Sequence, residues 1–213
     1  MQSWEAGFGD RDPGAWRELV ERSITLHRLP SYFLPMPILI PTERASLLAC
    51  LTASDTNFRA ATEHLVEEAW NREPAPGKWS PVLLAEHLVL SEVSVPKLIA
   101  MALDEPVWEF DPAEAALRDR EIAASMQDDT LRRTAVESVM PRRRYASGVE
   151  AAAAFHTQRA RTLAYVRDTD DDLRQHRFPH PAYGPIDGYQ WLLMLAHHAD
   201  RHVRQITRAV RGA

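Results

Sequence analysis

Apolar side chains recur at helical spacing in four stretches of the chain, which predicts four main helices. The first stretch begins after Pro41, with Thr42 as its predicted N-cap, and extends to about Trp70. Its apolar positions follow one another at intervals of three, four and seven residues: Leu47, Leu51, Phe58, Ala61, Leu65 and Ala69. One face of this helix is therefore expected in a core.

A loop containing Pro74, Pro76 and Gly77 separates the first stretch from the second. Ser80 is expected to supply a capping oxygen to the second helix, and Pro81 occupies its first helical position, where no backbone N–H is needed. The expected buried stripe of this helix includes a histidine: Leu84, His87, Leu88, Ser91, Val95, Leu98 and Ala102.

The third helix is predicted from about Val149 to Val166, and the fourth from Gly188 to about Val210. Asp187 and Gln190 have the spacing of a capping box at the start of the fourth helix. The inner side of the third helix is expected to carry Ala152, Phe155, Leu163 and Val166, and that of the fourth Trp191, Leu195, His198, His202, Ile206 and Val210.

The segments between these helices differ in character. Residues 104–147 form a long connection, in which residues 112–134 are rich in Ala, Glu and Arg and predict a further helix that Pro141 ends. Residues 180–185 cannot be helical, and no stretch alternates with a period of two, so no sheet is predicted. The pattern is that of an all-α protein.

The N-terminal residues 1–43 differ from the rest of the chain. Trp16, Val20, Ile24 and His27 predict a short amphipathic helix, and the four prolines between residues 30 and 41 hold an extended, apolar arm. We expect this arm to pack on the bundle or on a second subunit. The chain has 213 residues, which is short for two independent domains. We therefore expect one bundle domain over residues 44–213 after this N-terminal part.

Composition narrows the classes of function. A net charge of −5 gives no general attraction to nucleic acid or to anionic lipid, and the basic run at residues 142–144 is either a solvated loop or an anion-binding patch. Cys50 is the sole cysteine, which excludes an intrachain disulfide and fits a reducing cytoplasm. No run of about 18 apolar residues predicts a membrane span, and Glu5 and Asp10 are unlike a signal peptide.

Three histidines are candidate metal ligands. His198 and His202 lie one turn apart on the inward face of the fourth helix, close enough for both rings to reach one ion, and His87 lies on the inward stripe of the second. A single histidine on such a face is usually a hydrogen-bonded core residue, and an i,i+4 pair leaves both interpretations open. Three buried imidazoles without partners would each cost about 1–3 kcal/mol, so the trio favours a divalent metal.

Neighbouring residues refine this hypothesis. Ala199 stands where a zincin protease needs glutamate, and three protein ligands leave positions open for water or substrate. Three residues are candidates for holding the rings, with solvated surface residues as the alternative reading: Glu86, Asp200 and Gln205. Four other histidines are expected at the surface: His64, His156, His176 and His197. His180 lies either at the mouth of the site or in a turn that only directs the fourth helix.

These motifs resemble the DinB-like superfamily over residues 42–211. The residues that carry the resemblance are Pro76, Gly77, Lys78, Trp79, Ser80, Pro81, Glu86, His87, Leu88, His180, Pro181, Gly184, Pro185 and the stretch 191–205 with its His-x3-His. The resemblance implies a four-helix bundle with up-down-down-up topology and a divalent metal, nickel or zinc, held by His87, His198 and His202. Relatives include S-transferases that use low-molecular-weight thiols, a thiol-dependent maleylpyruvate isomerase and part of the ergothioneine pathway. A homodimer is also implied.

Two hypotheses about function follow. The first is a metal-dependent enzyme of the transferase or hydrolase kind that acts on a small molecule, with a low-molecular-weight thiol as the favoured cofactor. The second is a non-catalytic metal- or ligand-binding bundle, active in stress response or structural. Nucleic-acid binding is disfavoured because the chain is acidic and has no basic stripe.

Overall fold

The computed structural model describes residues 39–131 and 134–211. The predicted N-terminal helix and the arm up to residue 38 lie outside this part of the chain. The helices and strands run in the order α1 (Pro41–Thr62), α2 (Glu67–Asn71), α3 (Pro81–Leu103), α4 (Pro112–Gln127), a 3-10 turn (Glu137–Val139), α5 (Gly148–Asp168), β1 (Arg177–His180), β2 (Gly184–Asp187) and α6 (Gly188–Arg211).

The start of the bundle differs from its prediction in two details. Ile40 is the N-cap of α1, because Pro41 already occupies the first helical position, so the predicted cap at Thr42 is wrong. The first predicted helix is also two helices, since the chain leaves the helical path after Thr62 and resumes it at Glu67. The apolar spacing continues through the break, which is why the sequence pattern did not reveal it.

Two capping predictions have different outcomes. Ser80 is the N-cap of α3, yet its buried hydroxyl has no hydrogen-bond partner among the described residues and does not cap the helix. At α6 the predicted capping box is confirmed: the backbone N–H of Asp187 donates to Gln190 Oε1 at 3.1 Å, and the N–H of Gln190 donates to Asp187 Oδ1 at 2.7 Å.

The helix predicted in the long connection is shorter than expected. Asp111 caps α4 by accepting from the backbone N–H of Ala113, but the helix ends at Gln127 and does not continue to Pro141. The Asp128 carboxylate accepts from both the N–H (2.9 Å) and the hydroxyl (2.6 Å) of Thr130, a local turn that competes with helix continuation.

Hydrogen bonds between helices give their directions. Arg44, at the start of α1, donates to the carbonyl of Thr169 at 2.9 Å beyond the end of α5, and Asp55 meets His156 at 2.6 Å, so these helices are antiparallel. Glu86 of α3 binds the chain just before α5, and Glu92 binds Arg159 within it, so α3 and α5 are parallel. 

The α1 and α6 helices run the same way. Arg174 connects Glu43, at the start of α1, to Asp187, just before α6, and Asn57 donates to Asp200 at 2.9 Å further along both helices. Together these directions confirm the up-down-down-up bundle. Because α3 and α5 are parallel, the connection between them must return along the bundle, and α4 makes this return beside α6.

A two-stranded hairpin precedes α6, so the prediction of no sheet is wrong for this segment. β1 and β2 are antiparallel, with Phe178 paired to Ile186 and Pro179 to Pro185. Both prolines interrupt the alternation that would have predicted strands, and Gly184 adopts a φ of 67°, which its lack of a side chain permits.

A buried ion pair lies in the middle of the bundle. Arg159 of α5 is 0% exposed and donates to Glu92 of α3 at 2.6 and 2.9 Å, and Thr162 donates to the same carboxylate. On α5 the burial of Phe155 and Val166 is confirmed, whereas two other positions predicted to face inward are only partly buried: Ala152 and Leu163. Among the described residues, no helix is both long and apolar enough to cross a membrane.

Candidate metal centre

The antiparallel packing of α3 against α6 brings the three predicted histidines together. His87 lies early in α3, and His198 and His202 lie one turn apart near the middle of α6. The Nε2 atom of His198 is 3.1 Å from that of His87 and 2.8 Å from that of His202. All three potential ligand atoms lie within 4.8 Å of one another. The rings therefore converge on one centre.

Hydrogen bonds on the far side of two rings orient them. His87 Nδ1 donates to the carbonyl of Val139 at 2.7 Å, and His202 Nδ1 contacts Oε1 of Gln205 at 2.8 Å. An imidazole that donates through Nδ1 presents the lone pair of Nε2 on its other side. Nδ1 of His198 is buried and has no hydrogen-bond partner among the described residues.

This arrangement fits a cation better than it fits hydrogen bonding alone. The lone pairs of His87 and His202 both face Nε2 of His198. A neutral His198 carries at most one proton on that atom, so it satisfies only one of the two. A divalent ion accepts all three lone pairs at once, which is the usual way in which clustered neutral imidazoles are satisfied.

Burial keeps the three rings neutral. The side chains of His87 and His202 are buried, and this burial lowers the pKa of His87 and brings that of His202 to about 3. The pKa of His198 falls well below its usual value, first through burial and then through repulsion by His202 and His87. Neutral imidazole is the form that binds metal, so all three are in the ligating state near neutral pH.

The three candidates for holding the rings have different positions. Gln205 contacts His202 directly, as described above. Glu86 is buried and accepts from the backbone N–H groups of Arg142 (2.8 Å) and Arg144 (3.1 Å), so it touches none of the three rings by hydrogen bond. Asp200 accepts from Asn57 at the surface.

Arg201, which lies between His198 and His202 in α6, is buried despite its charge. This side chain is 6% exposed, and its guanidinium donates to the carbonyls of Asp128 (2.7 Å) and Leu131 (2.5 Å). From the sequence alone, a charged residue between two histidines of one helix is expected to be exposed to solvent. Here the connection after α4 supplies the acceptors that allow its burial.

Among the residues that the structure describes, no other histidine joins the cluster of three rings. His64 is exposed, as predicted. His156 is not a free surface residue, because its ring packs near Phe58 and bonds to Asp55. His176 contacts the carbonyl of Glu105 at 2.8 Å, and His197 is partly buried.

His180 lies at the end of β1, on the hairpin before α6. Its Nδ1 accepts from the backbone N–H of Ala182 at 3.0 Å, and its ring lies 4.7 Å from that of Tyr183 and 4.9 Å from that of Trp191. It also contributes to the lowered pKa of His198. Its position at the mouth of the site stays a prediction.

Two neighbours of His87 were missed by sequence reasoning. The Val139 carbonyl belongs to the backbone of the long connection, and no side-chain pattern marks it. The ring of Trp79, just before α3, lies 5.0 Å from that of His87. Cys50 is partly buried, and burial followed by the charge of Asp200 raises its pKa, so it supplies no ready thiolate.

Comparisons with known proteins show the fold and the family of this chain. The uncharacterized protein YuaE of Bacillus subtilis (strain 168) is 23% identical over 145 residues, which cover 67% of this chain and 83% of YuaE. The solved structure of YfiT from Bacillus subtilis, described as a probable metal-dependent hydrolase with an unusual four-helix bundle topology, has a TM-score of 0.54 at 17% identity and covers 84% of this chain and 92% of its own. The family model of the DinB superfamily matches residues 51–206, and the chain belongs to this superfamily.

Proposed function

We propose that this protein is a metal-dependent enzyme of the transferase or hydrolase kind, acting on a small molecule at a divalent ion held by His87, His198 and His202. The observation that carries the proposal is the convergence of three neutral imidazole nitrogens, two pairs of them 2.8 and 3.1 Å apart. Nickel and zinc are the expected ions, because imidazole suits both.

The three rings leave room for chemistry at the ion. Structural zinc sites are closed by four protein ligands, whereas catalytic sites keep a position for water or substrate. Among the described residues, no other His, Cys, Asp or Glu joins the three histidines in a ligand cluster. A divalent ion in such a site lowers the pKa of a bound thiol or water, which supplies a nucleophile at neutral pH.

The chain's own groups hold this centre in its ligating state. Val139 and Gln205 keep the protons of His87 and His202 on Nδ1, so that their Nε2 lone pairs face inward. Burial of the rings excludes water from their far sides and disfavours protonation. 

Two nucleophiles are consistent with this centre. The similarity to YfiT, described as a probable metal-dependent hydrolase, favours water. The family resemblance favours a low-molecular-weight thiol, and the raised pKa of Cys50 means that such a thiol would come from solution and not from the chain. The non-catalytic alternative, a metal- or ligand-binding bundle, is supported by the same ring geometry without any turnover.

The first test is the metal content of protein purified without an affinity tag, measured by elemental analysis. We expect one equivalent of nickel or zinc in the wild-type protein and in His64→Ala, which removes an exposed histidine, and a large loss in His202→Ala. Wild-type protein without metal after incubation with either ion would refute the proposal.

The second test screens activity. Metal-loaded protein is incubated with a panel of thiols and electrophiles, and separately with ester and amide substrates. A rate that His202→Ala loses and His64→Ala retains supports the enzyme, and the panel in which it appears identifies the nucleophile. Equal rates for all three proteins in every panel, together with bound metal, would leave the non-catalytic bundle as the function.

A further inference from the structure

We propose that Glu86 is a positioning residue for the metal centre: its carboxylate anchors residues 139–144 of the α4–α5 connection and through them holds the Val139 carbonyl against the His87 ring. This inference rests on the proposed role of the three histidines as metal ligands. It assigns a function to a buried carboxylate that hydrogen-bonds to none of the three rings.

Glu86 binds the α4–α5 connection through hydrogen bonds to its backbone. Glu86 is 0% exposed, and its two carboxylate oxygens accept from two backbone N–H groups of one short segment, Arg142 at 2.8 Å and Arg144 at 3.1 Å. The Arg144 side chain adds an ion pair at 3.8 Å. A buried carboxylate that binds main chain in this way fixes the position of the backbone and not only of a side chain.

The residue between these two donors has an unusual backbone conformation. Arg143 has a φ of 59°, the one positive φ at a non-glycine position in the described residues. Such a left-handed residue lets neighbouring N–H groups face the same anion, as in a backbone nest. The Arg143 side chain is 64% exposed and lies 3.7 Å from Glu73, so side-chain packing does not account for its backbone. The positive φ of Arg143 follows from the hydrogen bonds that its two neighbours donate to Glu86.

The segment that Glu86 binds also contacts the metal centre, through His87. Glu86 and His87 are adjacent in α3, and they bind the same segment at points three to five residues apart, since His87 Nδ1 donates to the carbonyl of Val139. The Arg142 side chain also bonds to Glu137, which connects this segment to the residue two positions before Val139. If the segment moves, the carbonyl leaves Nδ1, and the proton of His87 is free to move to Nε2, where it blocks the ligand lone pair.

The test begins with the tautomer of His87 in metal-free protein at neutral pH. Histidine labelled with nitrogen-15 reports by NMR which ring nitrogen carries the proton, and the signal lost in His87→Gln identifies the ring. We expect wild-type protein to hold the proton on Nδ1 only, and Glu86→Gln to show a mixture of both tautomers. Glu92→Gln is the matched control, because Glu92 is equally buried on α3 but binds Arg159 and Thr162 of α5.

Zinc affinity, measured by competition with a coloured chelator, is the second readout. Loss of a group that orients a ligand weakens binding by about 10–100-fold, and we expect this range for Glu86→Gln. Glu92→Gln is expected to lower the melting temperature while zinc affinity stays within about twofold of the wild-type value. A merely structural role for Glu86 would lower stability and leave both the tautomer and the affinity unchanged.

A second pair of variants acts from the connection and leaves α3 intact, which keeps the test decisive if Glu86→Gln fails to fold. Glycine adopts a positive φ without strain, whereas valine does not, so Arg143→Gly should preserve the local backbone and Arg143→Val should not. Both variants remove the same exposed side chain and its ion pair. We expect Arg143→Gly to keep the wild-type tautomer and affinity, and Arg143→Val to weaken zinc binding by about tenfold or more.

The outcomes separate this inference from the proposed function. A single Nδ1 tautomer of His87 in Glu86→Gln and Arg143→Val would overturn the positioning role, whether or not the protein binds zinc. Wild-type protein that binds neither zinc nor nickel would refute the metal function, while the tautomer measurement would still decide the role of Glu86.

Discussion

Acid should destabilise the metal-free protein through the histidines that are buried in their neutral form. His202 has a pKa of about 3 in the folded protein, against an ordinary value of 6.5. Between these values the unfolded chain binds a proton that the folded protein does not bind, so stability is complete above about pH 6.5 and falls as the pH decreases toward 3.

The magnitude follows from this difference. Each pH unit within the window changes the free energy of unfolding by about 1.4 kcal/mol for one histidine, so His202 alone removes about 2 kcal/mol between about pH 7.5 and pH 5. His87 and His198 act in the same direction, because burial lowers the pKa of both. Burial raises the pKa of Asp187 to about 7, which has the opposite sign, since stability then falls as the pH rises.

The assay is urea denaturation of chelator-treated protein at several pH values. His202→Gln removes one titrating group, so we expect its loss of unfolding free energy between about pH 7.5 and pH 5 to be roughly 2 kcal/mol smaller than that of the wild-type protein. The contribution of Asp187 cancels in this comparison. His64→Gln, at an exposed position, should follow the wild-type curve. Identical pH dependence in His202→Gln and wild type would refute the reasoning.

Three further predictions concern metal and packing. At a free zinc concentration about a thousandfold above Kd, bound zinc adds about 4 kcal/mol to the free energy of unfolding. Removing zinc with a chelator should therefore lower Tm by roughly 8 °C or more, and an unchanged Tm would contradict the proposed centre. Gly148→Ala places a Cβ 2.0 Å from Trp70 and should cost about 1–3 kcal/mol in urea denaturation, and an unshifted midpoint would show that the ring can move. Glu92→Leu leaves the buried Arg159 without its charged partner and should lower the free energy of unfolding by about 3–5 kcal/mol. Asp168→Leu breaks an exposed ion pair and should leave this free energy nearly unchanged, so equal losses in the two variants would contradict the assignment.

The predictions that succeeded rest on information local in the chain. The start of α6 and its capping box follow from Asp187 and Gln190, which are three positions apart. The inward placement of His198 and His202 follows from the helical repeat alone. Likewise the start of α3 at Pro81 depends on one residue and its fixed φ.

The features that the sequence did not reveal depend mainly on partners distant in the chain. Arg159 and Arg201 are charged residues that the apolar pattern did not assign to the core, yet both are buried. Their hydrogen-bond partners are remote in the chain: Glu92 lies 67 residues before Arg159, and the Asp128 carbonyl lies 73 residues before Arg201. The hairpin was missed because prolines at paired positions hide its alternation.

The sequence by itself determined the four main helices, the inward faces of α3 and α6, and the three histidines on those faces, because helical periodicity and capping act within a few residues. The tertiary structure decided that His87 meets His198 across 111 residues, that the other nitrogen of its ring binds the Val139 carbonyl, and that Glu86 binds the backbone N–H of Arg142. Backbone carbonyls and N–H groups are the same at every position, so only the folded chain shows which of them a buried side chain binds.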